Sequence, residues 1–287
     1  MRSGFVAVAG RPNVGKSTLV NALAGAKVAI VSDKPHTTRH QIRGVYTRDD
    51  AQLVLVDLPG WQKPIDTLTE RMQERVDQTM KDDLDVVLLV VSAREHIGTG
   101  DRYIARRVFS LGVPVIIVVN KVDRLKHGHV ATQMKAAAEL GDFHALHPVS
   151  AMTGDGIDEL RDDLLSLLPE GPFYFPADVS TDMPIEARIA EAVREQALRL
   201  TREEVPHAIT AEVVEIDEKR VHVRLYTETE SQKQILIGKG GTMVRDIGRG
   251  ARPFVEQLLG HSVFLQLQVK ASPKWRRNPT MLERLGL

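Results

Sequence analysis

The chain has 287 residues, 43% of them hydrophobic and 26% charged, which is typical of a globular protein and excludes a disordered or membrane-embedded one. Its length predicts two compact domains. The absence of cysteine excludes disulfides, zinc ribbons and thiol nucleophiles, so a metal must be bound by oxygen or histidine. There is no apolar run of 18 residues and no signal-peptide pattern, so we expect a cytoplasmic protein.

The formal net charge of zero conceals two parts of opposite charge. From Lys219 to Leu287 there are 13 Lys and Arg residues against 5 Asp and Glu residues, a net charge of +8, so residues 1–218 carry −8. A basic end of this kind favours a polyanionic partner.

Strands and helices alternate over the first 170 residues, with apolar runs such as VVLLVV that are typical of strands buried on both faces. Strands are predicted at Phe5–Ala9, Gln52–Val56, Val86–Val91, Val113–Val119 and His144–Val149, and helices are predicted to begin at Lys16, Leu68, Asp101, Val130 and Ile157. The alternation predicts an α/β domain at residues 1–170 with a doubly wound, mostly parallel sheet.

Prolines and glycines cluster before Pro184, which predicts a linker at residues 171–183. The remaining pattern predicts the order helix, strand, strand, helix, helix, strand. The predicted positions are a helix that includes Ile185, strands at Ala208–Ile216 and Val221–Tyr226, helices on either side of Gly238–Gly241, and a last strand at Val263–Val269. We therefore predict a smaller α+β domain at residues 184–287.

Residues Gly10–Ser17 read GRPNVGKS and lie between the first predicted strand and the first predicted helix. This is the pattern and the context of a phosphate-binding P-loop. Its backbone amides and the helix N-terminus would face the phosphates, and Lys16 would reach the β and γ oxygens. Ser17 is the expected Mg²⁺ ligand. The alternative is a glycine-rich turn that matches by chance.

The residues Asp57-Leu58-Pro59-Gly60 directly follow a predicted strand. This position allows Asp57 to hold Mg²⁺ through water and Gly60 to offer its amide to the γ-phosphate. Many turns contain D-x-x-G, so only the position at a strand end makes the motif informative.

A third motif of the sequence, Asn120-Lys121-Val122-Asp123 at the end of a predicted strand, indicates which nucleotide base is bound. Asp123 can accept hydrogen bonds from N1–H and the exocyclic amine of guanine together, whereas adenine presents an acceptor at that ring position. Lys121 would lie along the base, Asn120 would brace the loop, and the backbone of Ser150-Ala151 would contact the O6 edge. All four motifs follow strands and so share the carboxyl edge of the sheet. The predicted nucleotide site comprises Gly10, Arg11, Pro12, Asn13, Val14, Gly15, Lys16, Ser17, Thr18, Asp57, Leu58, Pro59, Gly60, Asn120, Lys121, Asp123, Ser150 and Ala151.

A glycine-rich loop, Ile237-Gly238-Lys239-Gly240-Gly241, lies between two predicted helices of the basic end. K-homology (KH) domains clamp single-stranded RNA with such a G-x-x-G loop. By itself the loop is a weak signal, but the order of elements around it is similar to a type II KH fold.

Basic side chains continue beyond this loop. Arg245, Arg249 and Arg252 share one face of the next helix, which suits phosphate contact but is also the pattern of a solvated helix. The run Lys274-Trp275-Arg276-Arg277 fits either a base-stacking platform or a terminal segment that packs through Trp275. The predicted RNA-binding residues are Ile237, Gly238, Lys239, Gly240, Gly241, Arg245 and Arg249.

The order and spacing of these motifs and the tail that follows resemble the Era family of translation-factor-related small GTPases, over almost the whole chain. The resemblance implies that His36-Thr37-Thr38-Arg39-His40 is the first switch and that Thr38 joins Ser17 and Asp57 as a metal ligand. The family usually has Gln at position 36. His36 and His40 also fit solvated loop residues.

The residue after Gly60 is Trp61, where a Ras-like enzyme would have a water-orienting Gln. The attacking water must therefore be positioned by backbone, by the γ-phosphate or by a cation. In relatives with an asparagine at the position of Asn13, that residue helps to bind K⁺, although Asn13 also fits a turn after Pro12. The predicted catalytic residues are Lys16, Thr38, Gly60 and Asn13, and slow, K⁺-stimulated hydrolysis is expected.

Three functions are compatible with the sequence. The first is a GTP/GDP switch with Mg²⁺ that, as the resemblance implies, binds the 3′ region of 16S rRNA and assists assembly of the 30S ribosomal subunit, as a monomer that does not bind DNA. The second is an RNA-binding module that senses nucleotide with negligible turnover. The third is a regulator weakly attached to the inner face of the cell membrane, for which the mixed-charge helix near Ile185–Val193 is the only support, and Glu186, Glu191 and Glu195 argue against it.

Overall fold

The computed structural model describes residues 1–34, 37–61 and 64–287, without the side chains of Arg124 and His127. These residues form two units. The first contains residues 1–29, 38–61 and 72–182, and the second contains residues 30–34, 37, 64–71 and 183–287.

A six-stranded sheet organises the first unit. Its strands are β1 (Arg2–Gly10), β2 (Ile42–Arg48), β3 (Ala51–Asp57), β4 (Val86–Ser92), β5 (Val115–Asn120) and β6 (Ala145–Val149). They lie in the order β2-β3-β1-β4-β5-β6, where only the edge strand β2 is antiparallel to its neighbour. The prediction of a mostly parallel, doubly wound sheet is therefore confirmed.

The helices that follow these strands are α1 (Lys16–Ala24), α2 (Thr67–Thr79), α3 (Thr99–Phe109), α4 (His127–Ala138) and α5 (Ile157–Leu167). Strands β3, β4 and β5 are buried along their whole length, which explains their unbroken apolar sequences. The loops after β1, β3, β5 and β6 consequently meet at one edge of the sheet.

Several elements of this unit begin up to a few residues before the predicted positions, as α4 does at His127 instead of Val130. Two further differences have a local physical reason. The strand β2 was not predicted, because its sequence IRGVYTR contains a glycine and two arginines and does not alternate. Packing favours its glycine, since a Cβ on Gly44 would lie 3.0 Å from a Val28 methyl. The helix α3 begins before Asp101, because the Asp101 carboxylate accepts a hydrogen bond from the backbone amide of Gly98 at 2.9 Å.

Most of the segment predicted as a linker lies in the first unit and is irregular, as its prolines require, yet it is well anchored. The Gln52 side chain, fully buried in β3, bonds the backbone of Tyr174 and Phe175 at 2.8–3.0 Å. The amide of Val45 donates to the Ser180 carbonyl at 2.8 Å. Residues 171–182 therefore form a strap on the sheet of the first unit.

The second unit contains α6 (Ile185–Leu200), α7 (Val205–Ala208), β7 (Thr210–Ile216), β8 (Arg220–Thr227), α8 (Glu230–Ile237), α9 (Thr242–Leu259), β9 (Phe264–Ala271) and α10 (Pro279–Arg284). Its sheet has the order β7-β8-β9, with β7 antiparallel and β9 parallel to β8. The predicted order of elements is confirmed, and the short helices α7 and α10 are additions. Among the described helices, none combines the length and apolar composition needed to cross a lipid bilayer.

Candidate functional site

The loop from Gly10 to Ser17 joins β1 to α1 as predicted. Gly15 has a φ of 97°, and a Cβ there would lie 2.4 Å from the Asn120 amide nitrogen, so only glycine lets the two loops approach. The N-terminus of α1 has no side-chain cap. Its amides are therefore available to an anion, which the helix dipole also favours.

Lys16 is buried at the start of α1, 6% exposed, and its ammonium donates to the carbonyls of Gly10 at 3.2 Å and Arg11 at 3.0 Å. Burial lowers the pKa of Lys16 to about 8, against the opposing attraction of Asp57. A phosphate beside this ammonium would supply the negative charge that its surroundings provide only in part.

The three predicted metal ligands lie together. The Ser17 hydroxyl donates to Asp57 Oδ2 at 2.7 Å and lies 2.8 Å from the Thr38 hydroxyl, which is 3.4 Å from the same carboxylate oxygen. Asp57 is fully buried, and its Oδ1 has no hydrogen-bond partner among the described residues. Burial raises the pKa of Asp57.

This donor set fits Mg²⁺, which prefers oxygen ligands and keeps several waters, so one carboxylate and two hydroxyls suffice. The orphaned, buried carboxylate oxygen supports the assignment, because a buried polar atom without a partner is costly and a hydrated cation would satisfy it.

The loop after β3 packs against the P-loop. A Cβ on Gly60 would lie 2.8 Å from the Pro12 backbone nitrogen, so glycine is required for this approach. Trp61 is buried, with the Arg107 guanidinium 4.3 Å from the centre of its ring and the Tyr103 ring edge-on at 6.4 Å. Trp61 therefore packs on α3.

Asn120 connects the predicted base loops to the P-loop. Its amide nitrogen donates to the Val14 carbonyl at 3.0 Å, while its oxygen accepts from the amides of Lys121 at 2.8 Å and Ala151 at 3.1 Å. Asn120 thus holds the P-loop and the loops after β5 and β6 together, as expected of a residue that braces the site.

The residues expected at the guanine also lie together. The Asp123 carboxylate accepts from the Ser150 hydroxyl at 2.8 Å, and the Lys121 ammonium donates to the Asn13 carbonyl. Asn13 and Lys121 both have positive φ, 65° and 71°. Thr18 follows Ser17 on α1, and Leu58 and Pro59 follow Asp57 in the loop after β3. His36 lies outside the described residues.

Sequence reasoning missed the partners of Arg11, whose guanidinium pairs with Asp101 at 2.8 Å and Glu95 at 2.9 Å. Neither acid belongs to a recognisable motif. These pairs direct the Arg11 side chain toward α3, so only its backbone is placed as a P-loop residue.

The glycine turn of the second unit has a left-handed backbone that favours glycine. Gly238, Gly240 and Gly241 have φ of 74°, 60° and 77°. A Cβ on Gly240 or Gly241 would meet nothing within 4 Å, whereas one on Gly238 would lie 2.7 Å from Met243. Gly240 and Gly241 are therefore open to a ligand, and α9 begins beside them without a side-chain cap.

A groove of about 490 Å³ continues from Gly241 between α9 and the edge strand β9. Arg245, Arg249 and Arg252 line one side, and Phe264 and Leu267 line the other. A groove of this kind suits single-stranded RNA, whose phosphates could contact the arginine side and whose bases could pack on the apolar side. Lys239 is exposed in the turn, while Ile237 is half-buried.

Trp275 is not a stacking platform. Its side chain is fully buried, and its indole N–H donates to the Ala208 carbonyl at 2.8 Å. Of the two interpretations of the segment 274–277, packing is therefore correct.

Comparison with known proteins gives matches in both halves of the chain. A family described as 50S ribosome-binding GTPase matches residues 5–121, and a KH domain family matches residues 201–276. The chain is 45% identical over 295 aligned positions to GTPase Era of Mycobacterium bovis (strain BCG / Pasteur 1173P2) and to GTPase Era of Mycobacterium tuberculosis (strain ATCC 25618 / H37Rv), covering 99% of this chain and 98% of each relative.

Among solved structures, a crystal structure of a point variant of Aquifex aeolicus Era bound to GDP·AlF4⁻ is similar over 100% of this chain and 99% of the other, with a TM-score of 0.95 and 37% identity. A crystal structure of Era in complex with MgGDPNP and nucleotides 1506–1542 of 16S ribosomal RNA gives the same values.

Proposed function

The chain belongs to the Era family of GTPases, and we propose that it is a switch that hydrolyses GTP to GDP and phosphate, binds the 3′ region of 16S rRNA and assists assembly of the 30S subunit. The observation that carries the hydrolytic part is the meeting of Ser17, Thr38 and Asp57 oxygens beside Lys16. The RNA part is supported by the open glycine turn and by a relative crystallised with a 16S rRNA segment.

The residues of the site have distinct tasks in this proposal. Lys16 and the P-loop amides bind the phosphates, and Ser17, Thr38 and Asp57 would hold Mg²⁺, which when bound neutralises charge on the β and γ oxygens. The backbone amide of Gly60 would face the γ-phosphate. Asp123 selects guanine, and Asn120 keeps the base loops joined to the P-loop.

We propose in addition that K⁺ assists cleavage at Asn13. Trp61 packs against Tyr103 and Arg107 and so leaves the water-orienting position without a polar side chain. Asn13, held at positive φ with its carbonyl bonded by Lys121, presents an exposed side chain at the phosphate loop. A monovalent cation there would stabilise charge that develops between the β and γ phosphates.

Single-turnover GTP cleavage in K⁺ and in Na⁺ buffer tests the switch and the cation together. We expect slow cleavage in K⁺, a lower rate in Na⁺, and loss of the difference in Asn13→Ala. Tight GTP binding without cleavage in either buffer would overturn the switch in favour of a nucleotide-sensing RNA module. Equal rates in both buffers would overturn the role of K⁺ alone.

The proposed working form is a cytoplasmic monomer on the 30S subunit. Membrane attachment loses its only support, because residues 189–195 of α6 are buried and cannot lie on a membrane surface. We expect the chain to remain unbound in a liposome flotation assay with anionic vesicles, and flotation with the vesicles would contradict this assignment.

A further inference from the structure

Two short stretches from the front of the sequence belong to the second unit, together with the RNA-binding elements. They are residues 30–34 with Thr37, and residues 64–71. The first leads directly into Thr38, and the second follows the loop that contains Asp57 and Gly60. Each stretch is held within the second unit by buried charged side chains.

Arg194 of α6 holds the first stretch. Its side chain is 1% exposed, donates to the Thr37 carbonyl, and pairs with both carboxylate oxygens of Glu191 at 2.6–2.7 Å. Next to it on α6, the buried Glu195 accepts from the Val31 amide at 3.0 Å. The stretch is therefore fixed at both ends by one helix.

Arg276 holds the second stretch. Its guanidinium pairs with Asp66 at 2.5 Å, with both side chains largely buried. Asp66 precedes α2, and its other carboxylate oxygen accepts from the Thr69 amide at 3.0 Å as an N-terminal cap. The pair thus fixes the first turn of the helix that follows the Gly60 loop.

From these contacts we infer that Arg194 and Arg276 are positioning residues for GTP cleavage, a conclusion that rests on the proposed function. Arg194 sets the backbone of Thr37 and thereby the direction of the adjoining Thr38 hydroxyl. Arg276 sets the start of α2 and thereby the exit of the Asp57–Gly60 loop. Charged hydrogen bonds in a buried setting are directional, and they suit fixed placement of a backbone better than apolar contacts do.

The sequence contains no hint of these roles. Arg194 lies in a mixed-charge helix that resembles a solvated one, and Arg276 lies in the basic run that also fits an RNA platform. The structure assigns both to the segments that flank the metal ligands.

The test compares Arg194→Gln and Arg276→Gln with two matched controls. Arg199→Gln removes an exposed arginine that pairs with the same Glu195, and Arg277→Gln removes the exposed neighbour of Arg276. Thermal unfolding, GTP affinity and single-turnover cleavage are measured for each full-length chain. We expect cleavage to be about 10- to 100-fold slower in the two test variants, because even a small misplacement of a catalytic group slows the reaction by this amount. GTP affinity should be nearly unchanged, and both control variants should behave like the wild type.

A double-mutant cycle with Thr38→Ala separates positioning from general damage. If Arg194 acts through Thr38, Arg194→Gln will slow cleavage little further in the Thr38→Ala background. Fully additive effects, or cleavage unchanged in a folded Arg194→Gln, would overturn the role of Arg194. Arg194→Lys, which keeps the charge but not the paired bonds to Glu191, should recover part of the rate, and it serves as the test variant if Arg194→Gln does not fold. A wild-type chain that does not cleave GTP would instead overturn the proposed function.

Discussion

The Ser17 hydroxyl donates to Asp57 Oδ2 at 2.7 Å, which joins the first turn of α1 to the end of β3 across 40 positions of sequence. The other carboxylate oxygen of Asp57 is buried without a partner among the described residues. The chain therefore already holds the predicted ligand oxygens in place and leaves one acceptor for a hydrated cation.

We predict that Asp57→Asn lowers Mg²⁺ affinity by about 10- to 100-fold, the usual cost of altering a group that orients metal-bound water. The amide oxygen can still accept from Ser17, so the fold is retained. Nucleotide release measured across a Mg²⁺ titration checks this, with the exposed Asp50→Asn as control. Unchanged Mg²⁺ dependence would remove Asp57 from the metal site.

Lys16 makes nucleotide binding depend on pH. In the nucleotide-free chain the pKa of Lys16 is lowered to about 8 by burial, and bound phosphates will raise it again. Lys16 that is deprotonated in the free chain must therefore take up a proton when the nucleotide binds. The expected uptake per bound nucleotide is about 0.1 proton at pH 7, about 0.5 proton at pH 8 and about 0.9 proton at pH 9. Affinity falls over the same range.

Calorimetry in buffers of different ionisation enthalpy measures this uptake. Lys16→Arg is the control, because arginine stays charged and its variant should show no uptake from this site. Equal uptake by the wild type and Lys16→Arg would show that another group titrates.

Asp123→Asn should exchange guanosine for xanthosine nucleotides. The carboxylate accepts from Ser150 at 2.8 Å, a bond that an asparagine oxygen can keep, so the change reaches only the base. Two charge-assisted bonds to guanine, each contributing about 1.5–3 kcal/mol, make the expected loss of GTP affinity about 100-fold or more. Competition between GTP and XTP measures it, with Asp155→Asn on the adjoining loop as control. An unchanged base preference would exclude the assigned role.

The nucleotide site was largely predictable because its motifs are local and parallel strands bring their carboxyl ends to one edge. Two features of the site were not predictable: the close approach of Gly60 to Pro12 and the hydrogen bonds by which Asn120 joins the loops. Both depend on how loops that are distant in sequence approach each other. The predicted site roles themselves stay predictions until the variants are measured.

In the second unit, the burial of polar and charged side chains could not be predicted from the sequence. Glu191, Arg194 and Glu195 have the spacing of an exposed face. Their burial is tolerable because Arg194 pairs with Glu191 and because Arg194 and Glu195 bond the backbone of Thr37 and Val31. Trp275 between cations fits stacking and packing equally, and the Ala208 carbonyl that decides the matter is 67 positions away.

The glycine turn offers a test of RNA binding that spares the fold. Gly240 has a φ of 60° and open space around its Cβ position, and aspartate tolerates this conformation better than most residues. Gly240→Asp therefore adds a negative charge where a phosphate would lie, and we expect RNA affinity to fall by about tenfold or more with GTP affinity unchanged. Gly260→Asp is the matched control, because Gly260 has a φ of 75°, equal open space and a place in the same unit beyond the turn. Filter binding of a 16S rRNA 3′ fragment at several salt concentrations measures both. If the two variants lose affinity equally, the added charge acts at long range and the turn is not the clamp.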